Sequence, residues 1–76
     1  MDERQIGRFF IRQELFGQVK KHMGTELERT VSDKEAEDFL ARNASLLGSI
    51  VGYDEVDTED RYRIWEACRE DSDLSG

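Results

Sequence analysis

The apolar positions of residues 32–52 fall on one stripe. Ala36, Phe39, Leu40, Leu46, Leu47, Ile50 and Val51 recur every three or four positions, the spacing of a helix with a single buried face. Ser32 stands three residues before Glu35, the spacing of a reciprocal capping pair, and Gly52 closes the run. The pattern predicts a helix over 33–51, with the polar Asn43 set in the middle of its stripe.

Residues 2–23 predict an earlier helix of less regular pattern. Phe9, Phe16, Val19 and Met23 share one face, while Ile6 and Phe10 point elsewhere, and Ile11 and Leu15 elsewhere again. Such a segment is a central helix surrounded by others, a helix with surplus surface for a partner, or a helix broken near Gln13 with help from Gly7 or Gly17. Lys20, Lys21 and His22 suit the negative end of its dipole, and Gly24 suits a left-handed cap. Thr25 and Glu28 are spaced as a second capping pair, enough for one short helical turn. After a loop over 52–57, Thr58 is placed as an N-cap, with Glu59 and Asp60 in the first turn of a helix over 59–69. That helix directs Ile64, Trp65 and Cys68 inward and carries Tyr62 at the edge of the same face.

No proline interrupts these segments, and no strand-like alternation is long enough to suggest a sheet. The expected fold is all-α: a compact three-helix bundle forming one domain over 1–69, with an extra short helical turn. A frayed, flexible acidic tail is expected over 70–76. The central stripe would pack on Phe9, Phe16 and Val19 on one side and on Ile64, Trp65 and Cys68 on the other.

Size and charge narrow the functional classes. A chain of 76 residues makes one domain and buries only about 60% of its unfolded surface, so its core has little margin. The formal net charge of −7 disfavours general binding to phosphate backbones. That charge is uneven: five Lys/Arg face three Asp/Glu over 1–24, three face six over 25–52, and three face nine over 53–76. Cys68 is the one cysteine, so no internal disulfide is available. The N-terminal sequence lacks the pattern of a signal peptide, and no apolar run approaches the roughly 18 residues of a membrane span. A cytoplasmic protein with no membrane association is expected.

The candidate chemistry is electrostatic. Asp54, Glu55, Asp57, Glu59, Asp60 and Glu66 form an acidic series, read either as a solvated surface or as a surface that docks on a basic patch of a partner protein. Their spacing does not match a calcium-binding loop. Arg4, Arg8 and Arg12, four residues apart, would make one positive ridge on a helix. The ridge could grip phosphates or a carboxylate-rich partner, or pair with the protein's own acids. Asn43 is either bonded to a neighbouring backbone or sets the register of a helix–helix contact, as in a homodimer. His22 and Cys68 are each single in the chain, too few for a structural zinc, and the scattered glycines form no phosphate-binding loop. Neither a catalytic residue nor a metal or cofactor site is expected, and an enclosed pocket of several hundred Å³ is hard to build at this size.

These features predict a small acidic non-enzymatic protein-binding module, acting as regulator, inhibitor or adaptor on a basic partner surface, one that itself binds nucleic acid included. The alternative is a homodimeric nucleic-acid-binding regulator that uses Arg4, Arg8, Arg12, Lys20 and Lys21 as phosphate contacts. Direct nucleic-acid binding is the less expected of the two, because acid at the start of the second helix would repel phosphates.

Overall fold

The computed structural model describes residues 3–71. The chain runs through strands β1 (Glu3–Ile6) and β2 (Phe9–Arg12), then helices α1 (Gln13–Leu27), α2 (Asp33–Arg42), α3 (Ala44–Ile50) and α4 (Thr58–Glu70). The fold is mostly helical, but the expected three-helix bundle is corrected in two places. The first half of the expected N-terminal helix is a β-hairpin, and the expected central helix is two helices.

The hairpin accounts for the irregular apolar pattern of the N-terminal segment. Its antiparallel register pairs Arg4 with Ile11 and Ile6 with Phe9, leaving Gly7 and Arg8 as a two-residue turn. Gly7 has φ 59° and Arg8 is not left-handed, the pattern of a type II′ turn with glycine at its first central position. Alternation then sorts the side chains: Arg4, Ile6, Phe9 and Ile11 face the helices, and Glu3, Gln5, Phe10 and Arg12 face outward. Apolar residues that scatter around a helix of period 3.6 fall mostly on one side at period 2, with Phe10 the exception. The β-branched and aromatic content of the segment suits a pleated surface. The chain turns helical at Gln13, where the alternative of a break had placed it.

Helix α1 runs past Gly24. Thr25, expected to cap a separate turn, lies inside α1 and donates its hydroxyl to the Lys21 carbonyl (3.0 Å). The left-handed residue that ends the helix is Glu28 (φ 57°), not Gly24, and the Arg29 N–H returns to the Gly24 carbonyl (3.2 Å). Glycine nevertheless suits position 24, because a Cβ there would lie 3.0 Å from the Arg29 carbonyl oxygen, a tight contact that the backbone would have to relieve.

The capping pair of α2 forms as spaced. Ser32 Oγ accepts from the Glu35 N–H, and the Glu35 carboxylate accepts from the Ser32 N–H (3.2 Å each). Arg29 adds two hydrogen bonds to the same carboxylate (3.0 and 2.7 Å) and, with the Ser32 contact, holds its pKa down to about 2. The helix stops at Asn43, whose backbone sits at φ −116°, ψ 57°. Its side-chain amide donates to the Phe39 carbonyl (2.8 Å), so the side chain takes an acceptor within the preceding turn. The next helix starts immediately, at Ala44.

Helix α4 is capped by Asp57 rather than Thr58: an Asp57 carboxylate oxygen accepts from the Asp60 N–H (2.8 Å). Its main packing partner is α1. The core is contiguous and drawn from every element. Ile11 of β2, Leu15, Val19 and Met23 of α1, Phe39 and Leu40 of α2, Leu47 and Ile50 of α3, and Ile64 and Cys68 of α4 are almost wholly buried. Val56 fastens the last loop to α1 by donating its N–H to Gln18 Oε1 (2.8 Å).

Candidate functional site

Of the acidic series, Asp54, Glu55, Asp57, Glu59 and Glu66 are exposed, and Asp60 is not. Asp54 is ion-paired with Arg12, and Asp57 is occupied as the α4 cap. Asp60 is buried at 5% exposure, with one carboxylate oxygen 3.5 Å from Arg63 Nη1 and the other without a partner among the described residues. Burial, then the Asp57 charge, pushes the Asp60 pKa up. Glu55, Glu59 and Glu66 remain exposed with no ion pair among the described residues.

Helical periodicity assembles a different surface from part of that series. Glu59, Tyr62, Glu66 and Glu70 follow one another three or four residues apart on the solvent side of α4. Tyr62 is 59% exposed, although the core-facing positions Asp60, Ile64 and Cys68 lie on the opposite side of the same helix. Its ring meets Trp65 edge-on, with centroids 5.6 Å apart at 74°. Trp65 is half-buried rather than a core residue, and the Arg61 guanidinium lies 5.8 Å from its ring centre. The expectation that Trp65 points wholly inward is therefore corrected: its position on α4 lies between the buried side and the solvent side.

A groove of about 560 Å³, open to solvent, runs beside this surface between the α2–α3 corner and α4. Leu46 and Ala67 give it apolar area, while Arg63, Glu66, Glu70 and the Arg42–Asp71 ion pair give it charge. Asn43 lies at this corner with its amide committed to Phe39. Of the expected acidic tail, Glu70 ends α4 and Asp71 is ion-paired with Arg42, while 72–76 lie outside the described residues.

The arginine ridge is corrected, because its three residues belong to the hairpin and not to a helix. Arg4 lies on the inner face, ion-paired with Glu37 and Asp33 of α2, with its guanidinium 4.4 Å from the centre of the Phe16 ring. Arg8 is in the turn and exposed, and Arg12 points outward to Asp54. Lys20 is also paired, with Asp33.

Cys68 is fully buried, and burial followed by the charges of Glu26 and Asp71 pushes its thiol up to about 11, so the thiolate is scarce at neutral pH. His22 is shifted the other way, lowered by burial and then by Arg61 and Lys21. No group of three or more His, Cys, Asp or Glu among the described residues could hold a metal ion, and no described helix is long and apolar enough to cross a membrane. Comparison of the chain with protein-family models, with characterised proteins and with solved structures found no match.

Proposed function

We propose that this protein is a small non-enzymatic protein-binding module that docks the solvent face of α4 on a basic surface of a partner protein. The observation that carries the reading is Tyr62. A large aromatic side chain stands in solvent in edge contact with Trp65, between carboxylates of α4 that have no ion pair among the described residues. Tyrosine and tryptophan dominate interface hot spots, because they bury much area at low entropic cost. Carboxylates at the rim raise the association rate with a cationic surface and orient the encounter. A protein docked this way on a nucleic-acid-binding partner would cover that partner's phosphate-binding surface, the action of a small inhibitor. The nucleic-acid-binding alternative draws less support, since three of its five phosphate contacts, Arg4, Arg12 and Lys20, are engaged with internal carboxylates.

The test is a comparison of two baits. A partner recovered with the wild-type chain and purified is expected to bind the triple variant Glu59→Gln, Tyr62→Ala, Glu66→Gln at least about tenfold more weakly, the loss of a modest hot spot. Equal affinity for the two proteins would remove the proposal.

A further inference from the structure

The cations of this acidic chain are unevenly satisfied. Every Lys and Arg has a carboxylate partner within 4 Å among the described residues except Arg8, Lys21 and Arg61. Arg8 stands apart in the hairpin turn. Lys21 lies on α1 and Arg61 on α4, the two helices that pack on each other most closely, and both bear electrostatically on His22. The chain carries 18 Asp and Glu against 11 Lys and Arg, so carboxylates are in surplus, yet none of the described ones is within ion-pair distance of either cation.

A second observation meets the first at the same place. The Arg61 Nε and Trp65 Nε1 groups are buried hydrogen-bond donors, one helical turn apart, and neither has an acceptor among the described residues. Buried donors without acceptors are unfavourable, and an unpaired cation beside one compounds the cost. The half-buried Trp65 ring and the exposed Tyr62 ring supply apolar area next to this charge.

We propose that the seam formed by Lys21, His22, Arg61 and Trp65 is a second docking site, for a carboxylate-bearing peptide segment of a partner protein. A carboxylate placed at Lys21 and Arg61 supplies the missing counter-charge, and an Arg61 side chain drawn toward it turns its Nε toward an acceptor. The neighbouring side chain of the peptide lies on the Trp65 ring. A peptide fits better than a nucleic acid. Glu26 and Glu28 line the adjoining cavity of about 390 Å³ together with Trp65, and a densely charged backbone would run into them and into the net charge of −7. A peptide places carboxylates only at intervals.

Trp65 is the chain's one tryptophan, so its fluorescence and its indole N–H resonance give a single signal beside this site. The full chain is titrated at low salt with the acetylated, amidated hexapeptide Glu-Leu-Glu-Leu-Glu-Leu, with the same peptide carrying Gln for Glu, and with a thymidine dodecamer. The acidic peptide is expected to shift the indole resonance saturably, and the Gln peptide to bind at least tenfold more weakly. Arg61→Gln and Lys21→Gln, each with an unchanged thermal midpoint, are expected to weaken the acidic peptide by a similar factor. Lys21 is exposed, so its variant keeps the test valid should Arg61→Gln disturb the fold. The proposal is overturned by an unmoved indole resonance up to millimolar peptide, by equal binding of the Gln peptide, or by binding that survives Lys21→Gln. Tighter binding of the dodecamer than of the peptide would also overturn it and assign the seam to nucleic acid. Because the Tyr62 ring touches Trp65, Glu59→Gln with Glu66→Gln is the control for the other surface: acidic-peptide binding retained in that double variant keeps the two proposals separate, and binding lost with it overturns this one.

Discussion

Replacing Arg4 with alanine separates the observed hairpin from a helical reading of the same residues. In the structure the Arg4 side chain is 23% exposed, reaches from β1 to Glu37 and Asp33 on α2, and covers the Phe16 ring of α1 at 4.4 Å. It is therefore a three-way link between elements that the backbone does not join directly. The two partly exposed ion pairs contribute about 0.2–1 kcal/mol each. The cation–π contact adds about 0.5–2 kcal/mol, toward the upper end as water is excluded. Arg4→Ala should thus cost about 2 kcal/mol, which for a domain of this size is a fall of roughly 8–16 °C in Tm. Arg8→Ala, in the exposed turn, should stay within about 0.5 kcal/mol, and Arg12→Ala within about 1 kcal/mol. The assay is urea unfolding followed by far-UV circular dichroism for all three variants, with a double-mutant cycle of Arg4→Ala and Glu37→Gln. The cycle should show a coupling of about 0.5–1 kcal/mol. Three equal, small effects, as a solvated arginine ridge would give, or zero coupling between Arg4 and Glu37, would refute the placement of Arg4 on the inner face.

Two further outcomes follow from particular backbone and burial geometry. Folding raises the Asp60 pKa above the ordinary value of 3.8, so ionisation of this buried carboxyl opposes folding as pH rises from that value through the raised one; Asp60→Asn should raise the urea midpoint at neutral pH, with the gain vanishing in acid, and a gain unaffected by pH would exclude this cause. Gly17→Ala, where a Cβ meets nothing within 4 Å, should stabilise α1 by about 0.5–1 kcal/mol, whereas Gly24→Ala should bring no such gain because the Arg29 carbonyl oxygen would have to move; equal gains in thermal unfolding would contradict the described end of α1.

What the sequence determined by itself is local. The α2 capping pair was legible because Ser32 and Glu35 satisfy each other within one turn, and the burial of Ala36, Phe39, Leu40, Leu46, Leu47 and Ile50 was legible because both α2 and α3 keep the helical period across the break. The break falls at Asn43, whose side chain bonds the Phe39 carbonyl, one of the two roles open to it from sequence. The strands over 3–12 are less legible, because the four apolar residues there fit a helical stripe poorly but are too few to establish a strand's alternation, and only a packed surface to lie on selects the strand. The candidate sites depended most on tertiary structure. Pairs such as Arg4 with Glu37, Arg12 with Asp54 and Arg42 with Asp71 close over tens of residues, so no spacing rule reveals which charges are consumed internally. Composition fixed the surplus of carboxylates. The fold decided that Glu59, Tyr62 and Glu66 face solvent and that Lys21 and Arg61 have no counter-charge among the described residues, since an ion pair needs only proximity in space while a helical stripe needs proximity in sequence.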